Sequence, residues 1–147
     1  MAKATFPYVA ISLPPNQAYP QGATVFRPVT FATLTATNGQ SIRCTVLPDS
    51  GADACLFPLS LAILLKLDVL NSPKALTGGV GSQANLTYYD TITIDLGAGI
   101  SFSAYAGFTQ GMDPIGLGLL GQAGFFEKRR VEFLHAKKVF TIESNWP

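Results

Sequence analysis

The chain has 147 residues, of which 48% are hydrophobic and 13% charged. That length suits one domain with a real core, and so apolar a composition excludes a disordered chain. Ten Lys and Arg against nine Asp and Glu leave a net charge of +1 with no basic run, which argues against nucleic acid or an anionic membrane as partner.

The first residues, MAKATFPYVAISLPPNQ, carry one Lys and a brief apolar stretch broken by prolines, a weak match to a secretory signal. Residues 1–23 are proline-rich and show little periodicity, so they read as an arm, either extended or a pro-segment, ahead of a domain at 24–147. Val25 to Thr37 and Ser41 to Leu47 are rich in β-branched and aromatic residues and flank Asn38-Gly39, a strong hairpin signal. The stretch VLPDSGADACLFP follows, with Asp49 and Asp53 among small residues between apolar runs. A carboxylate near a core is costly unless hydrogen-bonded or paired. Asp49 is therefore an ordinary turn acid or an acid held where it can react.

Leu61, Leu64 and Leu65 recur at helical spacing and predict a helix over Pro58 to Leu67. That apolar stretch is too short to span a bilayer. The glycine-dense loop from Thr77 to Ser82 is a hairpin tip or a lid. Ile92, Ile94 and Leu96 alternate with polar residues, as do Ile100, Phe102, Ala104, Ala106 and Phe108, so each run predicts a half-buried strand. Gly121 to Glu127 reads as a short helix, and Val131 to Phe133 with Val139 to Ile142 as a closing hairpin. The expected class is all-β with one or two short helices.

Other chemistry is poorly supported. Gly116 to Gly121 spells G-x-G-x-x-G, but the 26 residues after it read as a hairpin, not as the helix and βαβ units a dinucleotide site needs. His135, the sole histidine, sits beside lysines in a turn. Cys44 and Cys55 lack the companions of a zinc site and read as reduced structural thiols in a cytoplasmic protein. Asn85-Leu86-Thr87 matches a glycosylation sequon, which matters only in a secreted chain. The carboxylates are left as the groups placed for chemistry.

Asp49-Ser50-Gly51-Ala52-Asp53 after an apolar strand resembles the catalytic motif of the retropepsin-like aspartic proteases. TGGVGS (77–82) resembles that family's flap tip, and GLLGQAGFF (118–126) its apolar-apolar-Gly element, in the family's order. VEFLHAKKVFTIE resembles the closing strands of bacterial members, so the likeness spans roughly 24–143. Ser50 stands where many members have Thr, and Pro48, which lacks a backbone donor, precedes Asp49.

The resemblance implies a single-lobe barrel protomer that works as a homodimer, an aspartic endopeptidase in which Asp49 is catalytic. Ser50 and Gly51 would support the site, and Ala52, Asp53 and the flap residues Gly78, Gly79, Val80 and Gly81 would bind a peptide or protein substrate. Asp53 reads equally well as a turn-capping acid. No metal or organic cofactor is required. This chain has one Asp-Ser-Gly, so the second carboxylate would be Asp49 of another copy. The alternative function is a weak or inactive peptide-binding and dimerisation module with the same fold. Ile92, Ile94, Phe102 and Leu119 read as apolar side pockets or as core.

Overall fold

The computed structural model describes residues 2–78 and 83–144. In chain order its elements are β1 (Lys3–Pro7), β2 (Val9–Leu13), β3 (Ala23–Arg27), β4 (Thr30–Ala36), β5 (Ser41–Pro48), β6 (Leu56–Pro58), α1 (Leu59–Leu64) and β7 (Lys74–Thr77). They continue with β8 (Asn85–Asp95), β9 (Ser101–Thr109), β10 (Gly118–Leu120), β11 (Arg129–Leu134) and β12 (Val139–Ser144). Short 3-10 turns cover Gln110–Met112, Phe126–Lys128 and His135–Lys137. Among the described residues, no helix is long and apolar enough to cross a membrane.

Six strands form a closed barrel. β4 pairs with β5, β5 with β10, β10 with β6, β6 with β9, β9 with β8, and β8 returns to β4. Closure leaves these strands no free edge. β7 lies outside the ring on the first half of β8, where Lys74 pairs with Tyr88 and Thr77 with Asn85. β8 thus runs from the β7–β8 hairpin into the barrel wall. The tip residues Gly79, Val80, Gly81 and Ser82 lie outside the described residues.

The alternation predicted for β8 and β9 is the alternation observed. Ile92 and Ile94 face inward against Ala104 and Phe102, while Thr91, Thr93 and Asp95 are exposed. Leu34, Val46, Phe57, Phe108, Leu120 and Phe125 complete a core in which each is at most 1% exposed. Full burial of such a side chain contributes roughly 1.5–3 kcal/mol. Ile92, Ile94 and Phe102 are therefore core, whereas Leu119 lines a cleft.

Three expectations are corrected. The strand expected over Val25 to Thr37 breaks at Pro28, which has no N–H to carry the ladder: β3 pairs with β2, and β4 with β5. The Asn38-Gly39 turn does join β4 to β5, with Gly39 at φ +86°. The helix expected to reach Leu67 ends at Leu64. Lys66 takes φ +55°, its N–H meets Ile63 O, and Leu67 N–H meets Ala62 O, a pattern that closes the helix C-terminus. Leu65 is buried, but Leu64 is exposed. No α-helix forms over Gly121 to Glu127, because the N–H groups of Gln122 and Ala123 are spent on the carbonyls of Ala52 and Asp53 and Gly124 stands at φ +92°.

The N-terminal stretch carries two strands. β1 pairs antiparallel with β12, which pairs on its other side with β11. Ala4 is buried there, and the Phe6 ring stacks on Phe140 at 5.2 Å. The prolines sit at the margins of these strands: Pro7 ends β1, and Pro14 and Pro15 follow β2.

Candidate active site

Pro48 and Asp49 stand at the end of β5, beside Leu120 at the end of β10, in a parallel pairing. Asp49 N–H donates to Leu120 O at 2.9 Å, so the acid is still held by the sheet. Successive backbone groups of a strand point to opposite sides, so position 48 faces β4. β4 begins at Thr30, opposite Val46, and has no residue opposite Pro48. The proline's missing donor therefore costs no ladder bond.

Beyond Asp49 the chain folds back in a turn that the carboxylate itself organises. Gly51 N–H donates to Asp49 Oδ1 at 2.9 Å, and Ala52 N–H to Asp49 O at 3.1 Å. An Asp at the head of a turn makes this bond readily, and an N–H bonded to an ionised oxygen is among the stronger kinds. A β-carbon on Gly51 would lie 3.2 Å from Oδ1, so a larger residue there would crowd the carboxylate by a few tenths of an ångström.

The turn is stitched to the segment after β10. Gln122 N–H donates to Ala52 O at 2.8 Å, Ala123 N–H to Asp53 O at 2.9 Å, and the Gln122 side-chain amide to Ser50 O at 2.9 Å. Gly121 marks the closest approach, since a β-carbon there would sit 2.2 Å from Ala54 O. Gly118 lies against the Phe57 ring, 2.4 Å from where its β-carbon would be. Two of the three glycines of the literal nucleotide-like motif, Gly118 on β10 and Gly121 just after it, are thus packing glycines. Beneath the turn the Cys55 thiol is fully buried, with burial pushing its pKa up; Cys44 and Cys55 are both free.

A cleft of about 430 Å³ opens over Asp49. Gly51, Ala52, Asp53 and Ala54 line one side, and Thr77, Gly78 and Asn85, at the base of the β7–β8 hairpin, another. Leu56, Met112, Ile115 and Leu119 give it an apolar lining, with Tyr89, Thr109 and Gly111 completing the wall. The hairpin base is fastened by hydroxyls: Thr77 Oγ1 and Thr87 Oγ1 share a hydrogen bond, and Thr109 Oγ1 donates to Leu86 O at 3.3 Å. Tyr89 stacks on Tyr105 at 5.3 Å. Its phenol is pushed up by burial first, then by Tyr105 and by the negative charge of Asp53.

Of the residues expected from sequence, Asp49, Gly51, Ala52, Asp53 and Gly78 are brought to one cleft. Ser50 is exposed on the turn, and Gly79, Val80 and Gly81 lie outside the described residues. Sequence reasoning missed Tyr89, Asn85, Thr109, Gly111, Met112 and Ile115, which carry no local signal of their own. His135 sits far along the chain in its turn, with Nε2 2.9 Å from Lys138 Nζ. Among the described residues no group of three or more His, Cys, Asp or Glu gathers as a metal site.

No protein-family model matches the sequence, and no curated protein does. Among solved structures the chain is similar to the crystal structure of a retropepsin-like aspartic protease from Rickettsia conorii, with a TM-score of 0.52. The fold is retropepsin-like. The likeness covers 90% of this chain and 98% of that one at 16% identity, so it speaks to architecture and not to chemistry. In this retropepsin-like barrel, the Asp49 turn and the β7–β8 hairpin face one cleft.

Proposed function

We propose that this chain is an aspartic endopeptidase whose active site is completed by a second copy of itself. The observation that carries the reading is the Asp49 carboxylate, oriented by Gly51 N–H and lining a cleft with the base of the β7–β8 hairpin. Peptide hydrolysis by carboxylates needs two of them around one water. One accepts a proton from the attacking water while the other, protonated, donates to the scissile carbonyl oxygen. Two carboxylates about 3 Å apart share a single proton, as in the handling of aspartic proteases generally. The chain has one Asp-Ser-Gly turn, and Asp53 in the same cleft is read as a substrate contact, so the second acid is Asp49 of the partner subunit on a two-fold axis.

The remaining roles follow from position. Ser50, exposed on the turn, braces the two loops across the axis. Ala52, Asp53 and Gly78 bind the substrate backbone, while a flap role for Gly79, Val80 and Gly81 rests on the resemblance of TGGVGS alone. The substrate is an extended peptide lying beside the β7–β8 hairpin as an added strand, with apolar side chains directed at Met112, Ile115 and Leu119. The resemblance of VEFLHAKKVFTIE to the closing strands of bacterial members supports a bacterial-type member as the finer family reading, and the free thiols suit a reducing cytoplasm.

The test is cleavage of a diverse peptide library by the wild type and by Asp49→Asn, from acidic to neutral pH. Cleavage that disappears in the variant supports the reading. Equal cleavage by both removes Asp49 from the chemistry, and none by either at any pH favours a peptide-binding module.

A further inference from the structure

Asp49, Ser50, Gly51 and Ala52 make one turn, closed by the bond from Ala52 N–H to Asp49 O. The Ser50–Gly51 peptide is the middle of that turn. In such a turn the middle peptide has two orientations, and the closing bond survives in both. One of them needs a positive φ at the third residue, which glycine adopts at little cost. The third residue here is Gly51, so the turn's own sequence leaves both orientations open. Gly51 takes no positive φ in this structure, and in that state its N–H reaches Asp49 Oδ1 at 2.9 Å. Turned over, the same peptide would carry the N–H to the other side of the turn, and the carboxylate would lose its donor.

The far end of this peptide is held from outside the turn. Ser50 O accepts from Gln122 Nε2 at 2.9 Å, across 72 positions of chain. Gln122 is itself tied down at its backbone, where its N–H donates to Ala52 O at 2.8 Å. Among the described residues no other donor meets Ser50 O. The two side-chain bonds run in series, from the Gln122 amide to the Ser50 carbonyl and from Gly51 N–H to Asp49 Oδ1. A carbonyl that accepts a hydrogen bond makes the N–H of its own peptide the better donor. The Gln122 side chain is exposed, so replacing it removes this contact and little packing.

We infer that Gln122 is a positioning residue: its side-chain amide locks the Ser50–Gly51 peptide in the orientation that aims Gly51 N–H at Asp49. It acts through that peptide and touches no reacting atom. The inference rests on Asp49 being the acid of the proposed endopeptidase, and one arm of its test needs no cleavage.

The test compares the full-length wild type with Gln122→Met, which keeps the length of the side chain and removes the donor. In proton–nitrogen correlation spectra, the Gly51 amide proton of the variant moves upfield and exchanges faster with solvent. The Asp49 amide, held by Leu120 O, keeps its exchange rate. On a cleaved peptide, kcat falls by about threefold to tenfold while KM and the melting temperature stay the same. That split marks a misdirected acid, since a loosened fold would lower the melting temperature instead. A Gly51 amide that is alike in the two proteins overturns the lock. A shifted Gly51 amide with kcat unchanged overturns the positioning role. A shifted Gly51 amide in proteins that cleave nothing supports the lock and counts against the endopeptidase reading alone. Should Gln122→Met fail to fold, Gln122→Ala takes its place and is read in the same way.

Discussion

Two strand ends lie side by side at one end of the barrel, and only one of them carries an acid. β5 ends at Pro48 and Asp49; β10, paired with it in parallel, ends at Leu120 and Gly121. The two ends are alike in their apolar lead-in and in the tight turn that follows. They differ in room. At Asp49 the side chain reaches a cleft and receives Gly51 N–H. At Gly121 even a β-carbon would lie 2.2 Å from Ala54 O and 2.7 Å from Ala52 O. The second strand end is thus filled by the turn that holds the first acid, so it can offer none of its own. One strand end presents an acid to the cleft and the other braces the turn that holds it, which on the proposed function leaves one chain with half of a two-carboxylate site.

Removing the acid has the largest expected effect. Asp49→Asn keeps the shape and the Gly51 hydrogen bond while losing the proton chemistry, so peptide cleavage falls by about a thousandfold or more with little change in melting temperature. Filling the other strand end does the reverse. Gly121→Ala forces backbone against backbone and lowers stability by about 3 kcal/mol in chemical denaturation. A Gly121→Ala chain as stable as the wild type would show that the brace is looser than the geometry implies.

Smaller effects sharpen the comparison from each side. Asp53 and Tyr89 face the same cleft, and the negative charge of Asp53 helps to push the Tyr89 phenol up. Asp53→Asn therefore lowers the pKa of one tyrosine in an ultraviolet titration. On β5 itself, burial raises the Cys44 thiol from 9.0 to about 11. The folded chain holds that proton more tightly than the unfolded chain does. Its contribution to stability is complete below pH 9 and is lost as the pH climbs to about 11. Cys44→Ala flattens the alkaline limb of the stability profile over that window, while Thr45→Ala leaves it steep.

What was legible in the sequence was local. The Asn38-Gly39 hairpin, the alternation of β8 and β9, and the acid-bearing turn each depend on neighbours within a few residues. The N-terminal strands were not legible, because their prolines signal loops unless one knows that Pro7 and Pro14 fall at strand ends. The helix was overrun because Lys66 takes a left-handed conformation normally given to glycine. Gly118 and Gly121 look like a phosphate loop on paper; their reason for being glycine is Phe57 and Ala54, more than sixty positions away. The far wall of the cleft was hidden for the same reason. Tyr89, Thr109 and Ile115 meet Asp49 only once β8, β9 and the segment after it have closed the barrel.

The most direct test of the central claim is a mixing experiment. Wild-type and Asp49→Asn chains are combined in equal amounts at fixed total concentration, given time to exchange partners, and assayed on one cleaved peptide. If the two acids of a site come from two copies, mixed pairs are inactive and the mixture keeps about one quarter of the wild-type rate. A mixture that keeps about one half, as independent sites dictate, would contradict the account and place the whole site within a single chain.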